Sequence, residues 1–90
     1  MPELCRFYGI LIRMYNEAAS KHNRPHFHAY YQSDNAVVSI DDEVEVIADQ
    51  LHKKQERLVL AWTEMHLNEL RDNWELLQSR TKVFSIEPIK

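Results

Sequence analysis

Between residues 51 and 79 the apolar residues change their spacing, and that change limits the folds open to the chain. Val59, Trp62, His66, Leu70, Trp74 and Leu77 recur at steps of three and four, the repeat of one helix face. Leu58, Ala61 and Met65 widen the stripe, while Glu56, Arg57, Glu64, Asn68, Arg71, Asp72 and Glu75 fill the rest of the surface. No glycine or proline interrupts the run. It is long for a globular helix, which predicts a bend or break near residues 66–68. Upstream, aromatic and β-branched residues form short runs separated by polar segments, the pattern of strands. The expected fold is α+β: a small antiparallel sheet of three to four strands packed against one long or broken C-terminal helix.

Residues 7–15 (FYGILIRMY) read as one strand. Tyr8, Ile10, Ile12 and Met14 share one face; Phe7, Gly9, Leu11, Arg13 and Tyr15 share the other. Both faces are largely apolar, which predicts a strand covered on both sides. Gly9 inside it predicts a bulge or a close backbone approach. Residues 16–24 read as a polar loop with one helical turn at Glu17-Ala18-Ala19. Pro25 biases Arg24 toward an extended conformation and leads into a strand over residues 26–32. Ser33-Asp34-Asn35 signals a turn, and residues 36–40 complete a hairpin. Residues 44–47 form a fourth short strand or the lead-in to the helix. Residues 82–86 predict a last strand, stopped by Pro88.

Ninety residues make one domain, 1–90. The net charge of -3 argues against holding nucleic acid by bulk positive charge, but leaves room for a nuclease with a local basic patch. The single Cys5 cannot form an intrachain disulfide, which suits a reducing compartment. No basic-then-apolar leader opens the chain, and no apolar run reaches the roughly 18–20 residues that span a membrane. These features predict a soluble, cytoplasmic protein.

The chemistry concentrates in Arg24-Pro25-His26-Phe27-His28-Ala29-Tyr30-Tyr31. In a strand, His26 and His28 project to the same face and Phe27 to the other. Such a pair is half of a metal site, a patch able to transfer protons, or a polar strand face with one imidazole bonded to the backbone. A Zn²⁺-like ion needs three or four donors, so a divalent metal would require a third ligand from His66, His22, Asp41 or Glu69. No cofactor is otherwise indicated. His66 lies on the helix stripe between Trp62 and Leu70, facing the sheet, with Glu69 and Asn73 on the same side. It reads as a general base with an orienting partner, or as a core histidine bonded to a backbone carbonyl. His26, His28 and His66 are therefore the catalytic candidates.

Arg6, Arg13, Lys21 and Arg24 surround the first loop, and Arg13, Lys21 and Arg24 are the candidates for binding an anionic substrate. Asp41-Asp42-Glu43 suits a divalent cation, but a solvated turn is the preferred reading. Lys53, Lys54 and Arg57 read as the solvated start of the helix, and Trp62 and Trp74 as core or interface anchors. No Ser-His-Asp order, P-loop or CxxC pair is present, and nothing marks Cys5 as a nucleophile.

The order F-Y-G-I-L-I-R-M-Y, P-H-F-H-A, A-V-V-S-I, A-W-x-x-x-H-x-x-E-L, N-W-E-L and I-E-P resembles a bacterial family of about this size. That family was long catalogued only as a domain of unknown function, and its hallmark is a Pro-Pro-His-Phe-His run. The resemblance covers residues 5–88. The chain departs from the hallmark at Arg24, where the family has a first proline, and at Ala29, where it has valine. Some members are classed as toxins of type II toxin–antitoxin pairs (DhiT-type, with a DhiA-type antitoxin). The resemblance thus implies a small cytoplasmic toxin neutralised by a cognate antitoxin-like protein, and supplies no reaction.

Two functions stay open. One is a toxin whose histidine-centred site acts on RNA or another phosphate-containing target. The other is a non-catalytic protein-binding or regulatory module. Either is expected to work with a second chain, as a homodimer or with an antitoxin-like partner. Sheet edges invite strand addition, and a short chain leaves apolar surface uncovered.

Overall fold

The computed structural model describes residues 3–16 and 24–89. Five strands, β1 (Glu3–Phe7), β2 (Ile10–Arg13), β3 (His26–Tyr31), β4 (Asp34–Ser39) and β5 (Val46–Gln50), form an antiparallel sheet in chain order. Two helices follow, α1 (Lys53–Met65) and α2 (Leu67–Gln78). The α+β class is as expected, with one strand more than the sequence suggested and the helix in two pieces.

The additional strand, β1, lies ahead of the segment read as a single strand over residues 7–15 and shares only Phe7 with it. Tyr8 and Gly9 both have positive φ (48° and 78°), and Phe7 pairs with Ile10 across them. This is a two-residue hairpin of the left-handed kind that matches strand twist. Gly9 therefore marks a turn, not a bulge within a strand. A Cβ there would stand 3.3 Å from the Tyr31 ring, besides adopting a φ that side chains disfavour. The second hairpin turns one residue earlier than expected, at Gln32-Ser33, so β4 starts at Asp34. Residues 82–86 make no strand; the tail joins β1 through Ile86 N–H to the Leu4 carbonyl (2.9 Å).

Residues opposite each other in antiparallel strands share a face. Ile10 with Tyr31, Ile12 with Ala29, Ala29 with Ala36, and Phe27 with Val38 make the inner face. Trp62 of α1 packs on it, against Phe27 and Phe7 (ring centroids 6.0 and 5.4 Å). Its indole N–H donates to the Glu87 carbonyl (2.8 Å), so the tail closes over the same core. The expected break falls at His66, whose backbone leaves the helical region (φ -122°, ψ 25°). From α2, Leu70, Asn73 and Trp74 are buried. Both tryptophans thus belong to the core and are not exposed interface anchors.

Candidate functional site

The outer face of the sheet follows from the same register. Arg13 opposes His28, Leu11 opposes Tyr30, and His26 opposes Ser39. His26, His28 and Tyr30 are consecutive outward positions of β3, and Tyr15 just beyond β2 joins them. The ring centroids of His26 and His28 are 5.4 Å apart. His28 meets Tyr15 edge-on at 4.9 Å and lies parallel to Tyr30 at 6.3 Å. The two tyrosine hydroxyls hydrogen-bond to each other at 2.9 Å. Trp74 of α2 flanks His26 at 5.1 Å.

His26 is 1% exposed, far more buried than its neighbour His28. Its Nδ1 lies 2.6 Å from the Arg24 carbonyl oxygen. A carbonyl only accepts, so Nδ1 carries the proton, and in the neutral ring the lone pair sits on Nε2. The fold therefore sets the tautomer and aim of His26.

Arg24 is itself held. Its guanidinium donates to both carboxylate oxygens of Asp41 (2.7 and 3.0 Å) and to Glu45 (3.2 Å). The forked bond with Arg24 holds the Asp41 carboxyl below its ordinary value and raises Arg24 in turn. Arg71 of α2 donates to the Ile40 and Asp41 carbonyls, and Ile40 N–H to the Pro25 carbonyl. Asp41 is thus a structural clamp between β3, β4 and α2, while Asp42 and Glu43 face solvent. Arg24 is committed to carboxylates and contributes to the site through its carbonyl.

His66 stands elsewhere. Its Nδ1 donates to Glu69 Oε1 (2.7 Å), and its ring leans on Trp62 (5.5 Å). Trp62 packs on Phe27, which strand alternation turns away from His26 and His28. His66 has the expected carboxylate partner and low side-chain exposure (14%), but the fold does not bring it to the histidine pair. Asn73 is not its orienter: the Asn73 amide bonds the Phe84 backbone in both directions (3.0 and 2.9 Å). Lys21 and His22 lie outside the described residues. Among the described residues no group of three or more His, Cys, Asp or Glu is placed to hold a metal ion. Burial pushes the Cys5 thiol up, which keeps it protonated.

Arg13 is half-buried beside His28, and its Nε is enclosed without an acceptor. Gln78 Nε2 is enclosed in the same way. A buried donor left unpaired costs about 1–3 kcal/mol. Of the groups around the histidine pair, sequence reasoning singled out Arg13 but passed over Tyr15, Tyr30 and Trp74 as a site wall. Strand alternation already aligned Tyr30 with His26 and His28, and Tyr15 with Arg13. A hollow of about 430 Å³, lined among others by Tyr8, Tyr31, Lys54, Leu58 and Ile89, lies at the β1–β2 hairpin end; none of these five residues is a histidine or a carboxylate.

A model of the domain of unknown function DUF4160 matches residues 9–75, well over half of the chain. The chain belongs to this family. The DUF4160 match takes in Arg13, His26, His28, Tyr30 and Trp74, and ends before Gln78. No curated protein and no solved structure matches the chain.

Proposed function

We propose that this DUF4160 domain is the toxin of a bacterial type II toxin–antitoxin pair, acting in the cytoplasm on RNA or another phosphate-containing target through His26 and His28. The toxin assignment rests on the family resemblance. The chemistry rests on one observation: the Arg24 carbonyl fixes the proton on His26 Nδ1 and leaves Nε2 as the basic atom. That is how a general base is prepared. His26 Nε2 takes the proton from an attacking hydroxyl, and His28, in its protonated form, returns one to the departing oxygen. The ring separation of 5.4 Å lets both imidazoles address a single phosphorus centre.

Expression of the chain alone in bacteria, with His26→Gln and His28→Gln variants of equal abundance, tests the reading. Growth arrest by the wild type and its loss in both variants is the expected result. Arrest unchanged in the double variant would overturn it. The alternative, a non-catalytic protein-binding or regulatory module, draws support from the near-complete burial of His26. It predicts no arrest by the wild type and co-purification of a stable partner.

A further inference from the structure

Tyr8, Tyr31, Lys54, Gln55, Leu58 and Ile89 line the hollow of about 430 Å³ at the β1–β2 hairpin end of the sheet. It is separate from the histidine pair: Tyr31 is at the far end of β3 from His26, about 16 Å away along an extended strand. Small-ligand sites span about 300–1,000 Å³, so the hollow holds one ring with its substituents rather than a length of chain. Leu58 and Ile89 give it apolar surface, and the tyrosines give it aromatic walls. Tyr31 is a fixed wall. The Gly9 turn lies so close to its ring that a Cβ there would stand 3.3 Å away, and His52 meets the ring edge-on at 6.4 Å. Tyr8 is the opposite case. It is 60% exposed and sits at a positive φ (48°), a conformation that costs a bulky residue energy. Asn or Asp would make that turn without exposing a ring.

The charge at the hollow is one-sided. Of the residues lining it only Lys54 is charged, and among the described residues Lys54 has no carboxylate partner. It stands beside Lys53 in the first turn of α1, where the positive end of the helix repels cations, with Glu56 as the acidic residue of that turn. An anion in the hollow relieves this repulsion. We infer that the hollow binds a nucleotide, with the base against the tyrosine rings and the phosphate on Lys54. A bare anion would leave the exposed Tyr8 ring and the apolar surface unused, and an uncharged ring would leave Lys54 unpaired. Every base offers a π-face to a tyrosine, whatever its sequence context. The Gln55 amide both donates and accepts, as base edges do. A carboxylate of an acidic peptide would also suit Lys54, but the two aromatic walls favour a ligand that brings its own flat ring. That chemistry has two sources, a free nucleoside monophosphate or one unpaired nucleotide of an RNA strand.

The test is a titration of the isotope-labelled full chain with adenosine monophosphate, followed through the Tyr8 and Tyr31 rings and the Lys54 and Gln55 backbone amides. Adenosine and inorganic phosphate, the two halves of the ligand, form separate arms. A short single-stranded oligoribonucleotide and an acidic tyrosine-containing peptide form two more. Saturable shifts at these groups with adenosine monophosphate are expected, with adenosine about fivefold weaker, the worth of an exposed ion pair. Phosphate alone should be weaker still. Lys54→Gln should weaken adenosine monophosphate by about fivefold and leave adenosine as it was. Tyr8→Ala should weaken both by about tenfold or more, the loss of a stacking surface. Both side chains are exposed, and urea unfolding checks that the variants keep the fold. Ile89→Trp, which fills the hollow from the tail, should remove binding by an independent route.

Tighter binding of the oligoribonucleotide than of adenosine monophosphate supports the inference and assigns the hollow to an RNA strand. Equal or weaker binding supports it and assigns the hollow to a free nucleotide. No saturable shift with either, affinities that Tyr8→Ala and Lys54→Gln leave unchanged, or tighter binding of the peptide than of both nucleotides would overturn it. Growth arrest that depends on His26 is scored separately, since neither Tyr8 nor Lys54 touches the histidine pair.

Discussion

His26 Nδ1 lies 2.6 Å from the carbonyl oxygen of Arg24, two residues earlier in the chain. Between them is Pro25, which holds the preceding residue extended. The same Arg24 reaches with its side chain to Asp41, just past the end of β4. One residue therefore fixes an imidazole with its backbone and anchors the neighbouring strand with its guanidinium.

Burial separates the two histidines of the pair in a stability measurement. His26 is 1% exposed and hydrogen-bonded, while His28 is only half-buried. His26→Ala removes a buried bond and leaves a gap against Trp74, so it should cost about 2–4 kcal/mol. His28→Ala should cost about 1 kcal/mol. Urea unfolding of both variants checks the order. Equal losses would mean that the Arg24 bond and the Trp74 contact contribute little.

The Arg24–Asp41 clamp predicts a pH dependence with a definite sign. Asp41 titrates lower when folded than its ordinary 3.8, because Arg24 stabilises the carboxylate. A depressed carboxyl contributes stability that is complete above the unfolded value and is lost as pH falls through the folded one. The wild type should therefore exceed Asp41→Asn at pH 6 and 7, and the gap should close below about 3.8. Salt should shrink it too, since both side chains are partly exposed. Thermal melts from pH 2 to 7 at two salt concentrations measure it. A gap that is constant with pH would contradict the assignment.

Gly9 offers a test of the hairpin that the sequence concealed. At φ 78°, with the Tyr31 ring 3.3 Å from the position of a Cβ, alanine is strained by its backbone and crowded by its neighbour. Gly9→Ala should cost about 1–2 kcal/mol. A stabilised variant, as expected were Gly9 in an ordinary strand, would speak against the turn.

How much could be read in advance depended on whether the signal was local. The helix stripe, its break at His66 and the β3–β4 pairing are periodic or short-range features, and the chain carries them openly. The β1–β2 hairpin was hidden because Tyr8-Gly9 interrupts an otherwise continuous apolar run, and Tyr8 lacks the usual turn chemistry of Asn or Asp. The histidine pair was legible because strand alternation alone places it. Trp74 was not legible as part of its surroundings, because only the placing of α2 in the fold brings it to His26. The partners of Arg24 were hidden for a similar reason: its carboxylates are seventeen and twenty-one residues away.

The separation of His66 from the pair gives the most decisive variant series. His66 Nδ1 is bonded to Glu69, and its ring packs on Trp62, on the side of the sheet that Phe27 faces. Strand alternation puts His26 and His28 on the opposite side from Phe27. A site built on His26 and His28 is therefore not expected to depend on His66. His66→Asn should keep growth arrest at the wild-type level while costing about 1 kcal/mol, the loss of the Glu69 bond at the junction of α1 and α2. Glu69→Gln should behave alike. His26→Gln should remove arrest whether or not His66 is changed. Growth assays with matched protein levels, paired with urea unfolding, separate the effects. Loss of arrest in His66→Asn with the fold intact would place His66 in the chemistry.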